Sequence, residues 1–94
     1  MSQIEITVRV PNAKRPLKLT SDDIYALIAR TRIGERRMTV GDLAQRIGKR
    51  RESLSRFLNG RAEFPDLRKL LAEELARMLA DLPGHYIRAF QKAA

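Results

Sequence analysis

The sequence predicts a mainly α domain that begins with a β-strand or hairpin, and three observations predict it. From residue 20 onward, apolar residues recur at helical spacing in successive segments. Capping residues (Thr, Ser, Asp) precede these segments, and glycine or Pro-Gly follows them. Before them, Ile4, Ile6, Val8 and Val10 alternate with Glu5, Thr7 and Arg9, the period of a half-buried strand. Three parts follow: a β arm at 1–19, a helical domain at 20–82, and a short helix or tail at 83–94.

The strand stops at Pro11-Asn12, and Leu17-Lys18-Leu19 forms a short return strand. An isolated hairpin is marginal in water, so this one must pack on the helices, pair with another chain, or both. Thr20 or Ser21 caps the first helix. Asp22 and Asp23 sit in its first turn, where the helix dipole favours carboxylates. Ile24, Leu27 and Ile28 form its buried stripe, and the helix is expected to run to Arg32 and stop at Gly34.

Met38-Thr39-Val40-Gly41-Asp42-Leu43 opens the second helix. Thr39 caps it, Asp42 answers as a capping box, and Met38 and Leu43 occupy the staple positions. Leu43, Ala44 and Ile47 face inward, and Gly48 breaks the helix. A third helix spans about Arg50 to Leu58 with Leu54, Phe57 and Leu58 inward, and Asn59-Gly60 ends it. Phe64-Pro65-Asp66 opens the longest helix, expected to reach about Leu82. Its stripe of Leu67, Leu70, Leu71, Leu75, Met78, Leu79 and Leu82 is wider than a four-helix core needs. After Pro83-Gly84, His85 to about Lys92 reads as a last short helix.

The chain has 94 residues, no cysteine and a formal net charge of +8. Lack of cysteine leaves no disulfide framework and no thiolate metal site, which fits a cytoplasmic protein. Met1 to Glu5 offers neither a basic nor an apolar signal region, so no secretory signal is expected, and no apolar run reaches the length of a membrane span. Lone His85 has no ligand cluster beside it, the serines show no nucleophile motif, and no glycine-rich phosphate loop exists. Neither an enzyme nor a bound cofactor or metal is expected.

The charge is unevenly placed. Between Arg30 and Arg61 ten basic residues face only Glu35, Asp42 and Glu52, a net +7, while the rest of the chain carries +1. A basic run can be a plain solvated face, but this concentration points to a polyanionic partner.

That segment contains TVGDLAQRIGKRRESLSRFLNG: a short helix, a turn at Gly48 and a second short helix. It resembles the helix-turn-helix of the phage repressor and Cro-type family, the Xre family, at Thr39, Leu43, Ala44, Ile47, Gly48, Leu54, Ser55, Phe57, Leu58, Asn59 and Gly60. The resemblance covers about residues 20–82 and implies a lambda-repressor-like helical bundle. It also implies that the start of the third helix reads bases from the major groove, through Arg50, Arg51, Glu52, Ser55 and Arg56. Arg51 has the donors to meet guanine O6 and N7, and Glu52 can accept from cytosine N4 or simply pair with Arg56. The family's phosphate contacts map to Thr39, Ser53, Asn59 and Arg61, with Arg36 and Arg37 adding attraction from the preceding loop. Arg46 and Arg68 read as solvated.

Three positions depart from the family pattern. Val40 stands where a polar phosphate contact is usual, Lys49 where an apolar residue is usual, and Arg50 where Ser or Thr caps the recognition helix. Loss of that cap costs ~1 kcal/mol, and phosphate binding would offset it. The function these features imply is a sequence-specific transcriptional regulator, a repressor binding an inverted repeat in double-stranded DNA as a homodimer. The strand and the carboxyl-terminal helices are both candidates for the dimer interface. Two alternatives stand beside it: an antitoxin that represses its own operon with a toxin partner, and a protein-interaction module such as a phage inhibitor of a host protein.

Overall fold

The computed structural model describes residues 4–11 and 13–82. Its elements run β1 (Glu5–Val8), β2 (Leu17–Thr20), α1 (Ser21–Arg30), β3 (Arg32–Ile33), β4 (Arg36–Arg37), α2 (Val40–Arg46), α3 (Arg51–Leu58) and α4 (Pro65–Ala80). Four helices thus accompany two small antiparallel hairpins. The expected helix at 85–92 lies outside the described residues.

β1 pairs with β2 in the register Ile6 to Leu19 and Val8 to Leu17. These four side chains share one face and, with Val10, are buried. The arm therefore packs on its own helices, and β1 lies against α4. Period-two alternation served this purpose: one face carries the core while Glu5, Thr7 and Lys18 stay exposed. Fully burying an Ile or Leu of this kind is worth about 1.5–3 kcal/mol, enough to hold a hairpin that is marginal alone.

Ser21 joins three elements. Its buried Oγ accepts from the Ile4 N–H at 3.2 Å and donates to the Leu58 carbonyl at the end of α3. Thr20 caps α1, its Oγ1 accepting from the Asp23 N–H while the Asp23 carboxylate accepts from the Thr20 N–H at 2.9 Å.

α1 ends at Arg30, two residues before the expected Arg32. Thr31 is extended (φ −89°, ψ 138°), and its hydroxyl donates back to the Leu27 carbonyl at 2.7 Å. The chain then forms a second hairpin, with Arg32 opposite Arg37 and Ile33 opposite Arg36. Gly34, expected to stop a helix, instead turns this hairpin at φ +64°. Half-buried Ile33 anchors it to the core.

Of the stripe on α4, Leu67, Leu71, Leu75, Met78 and Leu79 are buried and Leu82 is half-buried. Leu70 is 36 % exposed, so the stripe is narrower than the sequence suggested and most of it is spent within the chain's own core. α4 ends at Ala80, one half-turn before the expected Leu82.

Two charged residues read as solvated are in fact paired. Arg46 on α2 donates to Glu74 on α4 at 3.4 Å, and Glu74 also accepts from Arg77 at 2.6 Å. Arg68 bonds both oxygens of Glu63, at 2.8 and 3.1 Å, and the Glu5 carbonyl at 2.8 Å, with its guanidinium 5.2 Å from the centre of the buried Phe57 ring. Arg68 thereby ties β1 and α4 together over the end of the core.

Candidate nucleic-acid interface

α2 and α3 lie against each other, with Leu43, Ala44, Leu54, Phe57 and Leu58 buried. The turn between them closes the end of α2 by two bonds. The Gly48 N–H donates to the Gln45 carbonyl at 3.1 Å, and the Lys49 N–H donates to the Ala44 carbonyl at 2.9 Å. This pairing needs a left-handed residue between them, and Gly48 supplies it at φ +70°. α3 ends in the same way: Gly60 N–H to Phe57 carbonyl at 3.0 Å, Arg61 N–H to Arg56 carbonyl at 2.9 Å, with Gly60 at φ +72°. Asn59 takes the cap position with negative φ, so the left-handed step falls on Gly60 alone.

The two helix starts differ. At α2, Thr39 and Asp42 form the full capping box. The Asp42 carboxylate accepts from the Thr39 N–H at 2.8 Å and its hydroxyl at 2.9 Å. Arg36 adds a bidentate pair to the same carboxylate at 2.7 and 2.8 Å. The Arg36 guanidinium, then the Thr39 N–H, hold the Asp42 carboxyl well below the usual carboxylate range. At α3, Arg50 has the extended backbone of a cap residue (φ −75°, ψ 145°) but makes no side-chain cap bond. The first-turn N–H groups of α3 therefore receive no acceptor from it.

The candidate base-reading residues Arg50, Arg51, Glu52, Ser55 and Arg56 together line one open concavity along the exposed side of α3. Ser55 is half-buried and the other four are exposed. Among the described residues, none of Lys49, Arg50, Arg51, Arg56 and Arg61 has a carboxylate partner, and the Glu52–Arg56 pair that the i, i+4 spacing allowed is not formed. Arg51 leans back toward α2: a methyl group placed on Gly41 would sit 3.7 Å from Arg51 Cδ. The first turns of α2 and α3 are thus neighbours on one surface.

The residues assigned to phosphate divide. Thr39, Arg36, Arg37, Asn59 and Arg61 are exposed and Ser53 is half-buried, while Val40, which departs from the family's phosphate-contacting position, is half-buried against the core. Thr39 and Arg36 are both engaged by Asp42, so Arg36 acts first as a clamp on the start of α2. The β3–β4 hairpin that carries Arg36 had no signal in the apolar pattern. Its one local sign was Ile33-Gly34 followed by a charged run.

Among the described residues, no group of three or more His, Cys, Asp or Glu side chains is placed to hold a metal ion, and no helix is long and apolar enough to cross a membrane. No family model matches the chain, and no curated protein or solved structure matches it.

Proposed function

We propose that this chain is a sequence-specific DNA-binding regulator, a repressor that docks α3 in the major groove and binds an inverted repeat as a homodimer. On this reading 20–82 is a lambda-repressor-like domain, with α2, the Gly48 turn and α3 as its helix-turn-helix. One observation carries the proposal. The exposed side of α3 gathers Arg50, Arg51, Glu52, Ser55 and Arg56 around a helix start without a side-chain cap, and none of its three arginines has a carboxylate partner, unlike Arg36, Arg46, Arg68 and Arg77. Unpaired arginines beside free backbone N–H groups suit phosphate and base edges.

Arg51 and Arg50 reach base edges on this reading, and Glu52 adds a hydrogen-bond acceptor that discriminates cytosine. Thr39, Ser53, Asn59 and Arg61 set register against phosphates. Capture of random genomic fragments followed by sequencing tests the proposal. It expects a recurrent palindromic sequence. Absence of any enriched sequence at moderate salt sinks it and favours a protein partner for the basic face.

A further inference from the structure

We infer that the β3–β4 hairpin is a second DNA-backbone contact, in which Arg32 and Arg37 together grip one phosphate beside the start of α2. This rests on the DNA-binding reading and adds a residue, Arg32, that the helix-turn-helix does not supply.

The pairing of the hairpin defines the geometry. The Met38 N–H donates to the Thr31 carbonyl at 2.9 Å, so Thr31 and Met38 are a hydrogen-bonded pair. Arg32 and Arg37, the next pair in register, are then of the non-hydrogen-bonded kind, whose side chains stand closest. Directly opposite residues share a face, so the two guanidinium stems rise together from one side of the hairpin. Ile33 and Arg36 take the other side, Ile33 against the core and Arg36 on Asp42.

Both arginines are exposed. Among the described residues neither has a carboxylate partner; the Arg32 guanidinium donates only to the Glu35 carbonyl, at 3.3 Å. Like charges directly opposite on two strands are destabilising. The chain nevertheless holds this repelling pair on a hairpin braced by hydrogen bonds. The bidentate Arg36–Asp42 bridge fixes β4 to the first turn of α2, and Thr31–Met38 closes the base of the hairpin. Arg51 Cδ lies beside Gly41 in that same turn, so the first turn of α2 neighbours both the hairpin, through Arg36, and the start of α3. A phosphodiester between Arg32 and Arg37 would convert the repulsion into two charge-assisted hydrogen-bonding contacts.

The test uses the full chain and a fluorescent mixed-sequence duplex, with affinity followed between about 50 and 200 mM salt. Arg32→Gln, Arg37→Gln and the double variant are compared with wild type, and Lys69→Gln on α4 serves as a control for loss of one charge. The double variant should lower the slope of log affinity against log salt by about 0.9, the value for one phosphate. Each single change should lose less than the double variant, because the remaining arginine still neutralises the phosphate, and Lys69→Gln should keep the wild-type slope. Thermal midpoints of the two single variants should equal or exceed wild type, because repulsion is relieved; a merely structural role for these arginines would lower them. Wild-type binding with unchanged slopes in all three hairpin variants overturns this inference and leaves the α3 reading standing. A wild-type chain that binds no duplex overturns both.

Discussion

Arg50 holds the cap position of α3 and contributes no cap, whereas Thr20 and Thr39 cap α1 and α2 with full boxes. α4 also lacks a side-chain cap, but Pro65 in its first turn removes one of the donors that would need it. The deficit at Arg50 therefore has no local remedy. Arg50→Ser should stabilise the fold by about 1 kcal/mol in urea or thermal unfolding, while weakening duplex DNA binding. Higher stability with unchanged DNA affinity would make Arg50 a simple defect and remove it from the interface. Arg51 and Arg61 separate the two kinds of contact. Arg51→Ala should cost about 1–3 kcal/mol on the selected sequence and relax preference at one base pair, whereas Arg61→Ala should weaken all sequences alike and flatten the salt slope. Equal losses on selected and random duplexes for both changes would strike Arg51 from the base readers. The cap position of Arg50 was legible because helix phase and caps are local. The partners of Arg46 and Arg68 were less so: Glu74 lies 28 residues from Arg46 and the Glu5 carbonyl 63 from Arg68, beyond any short window, while Glu63, five residues before Arg68, precedes α4 and falls outside its helical spacing.

At the scale of elements, what was legible follows backbone chemistry. Thr39 with Asp42, Gly48, and Asn59 with Gly60 each mark a boundary that the structure places at the same residue or one away. The miss is the stretch from Thr31 to Arg37. A two-residue strand carries too little period to register against a neighbouring helix, and Gly34 suits a helix stop as well as a hairpin turn. The hairpin leans on α2 through Arg36 and Asp42, which makes that joint sensitive to acid. Arg36 and the Thr39 N–H depress the native Asp42 pKa below its unfolded value. The stabilisation is therefore present above the ordinary carboxylate value of about 4 and is lost as pH falls beneath it toward the native one. Wild type should keep its thermal midpoint between neutral pH and about pH 5, then lose it on further acidification. Asp42→Asn should begin lower at neutral pH and fall less in acid, since its side chain has no charge to lose. Parallel pH curves for the two proteins would show that the joint contributes nothing to the acid response.

On the scale of the whole molecule, the described chain measures 34 × 31 × 22 Å. On the proposed reading, one α3 with five candidate reading residues would span only part of a regulatory site, and a two-fold pair of chains would repair this by reading two half-sites. Successive major grooves on one face of the duplex lie about 34–36 Å apart. Two protomers of this size set side by side can present their α3 helices at that separation without an intervening domain. The burial of the arm bears on where they meet. Ile6, Val8, Leu17 and Leu19 are used within the chain, and α4 keeps only Leu70 as an exposed large hydrophobic, so neither element offers a broad apolar face of its own. The dimer should accordingly be modest in strength and be helped by DNA, which brings the two chains together. Sedimentation at micromolar concentration should show association that grows when the selected duplex is added. Phasing supplies the stricter check. Inserting about half a helical turn between the half-sites should abolish cooperative binding, because it rotates one groove to the far side of the duplex. Inserting a full turn of about 10 base pairs restores the facing but doubles the separation to about 68 Å, beyond two chains of 34 Å in direct contact, and should also fail. Equal affinity for all three spacings would mean that each chain binds alone.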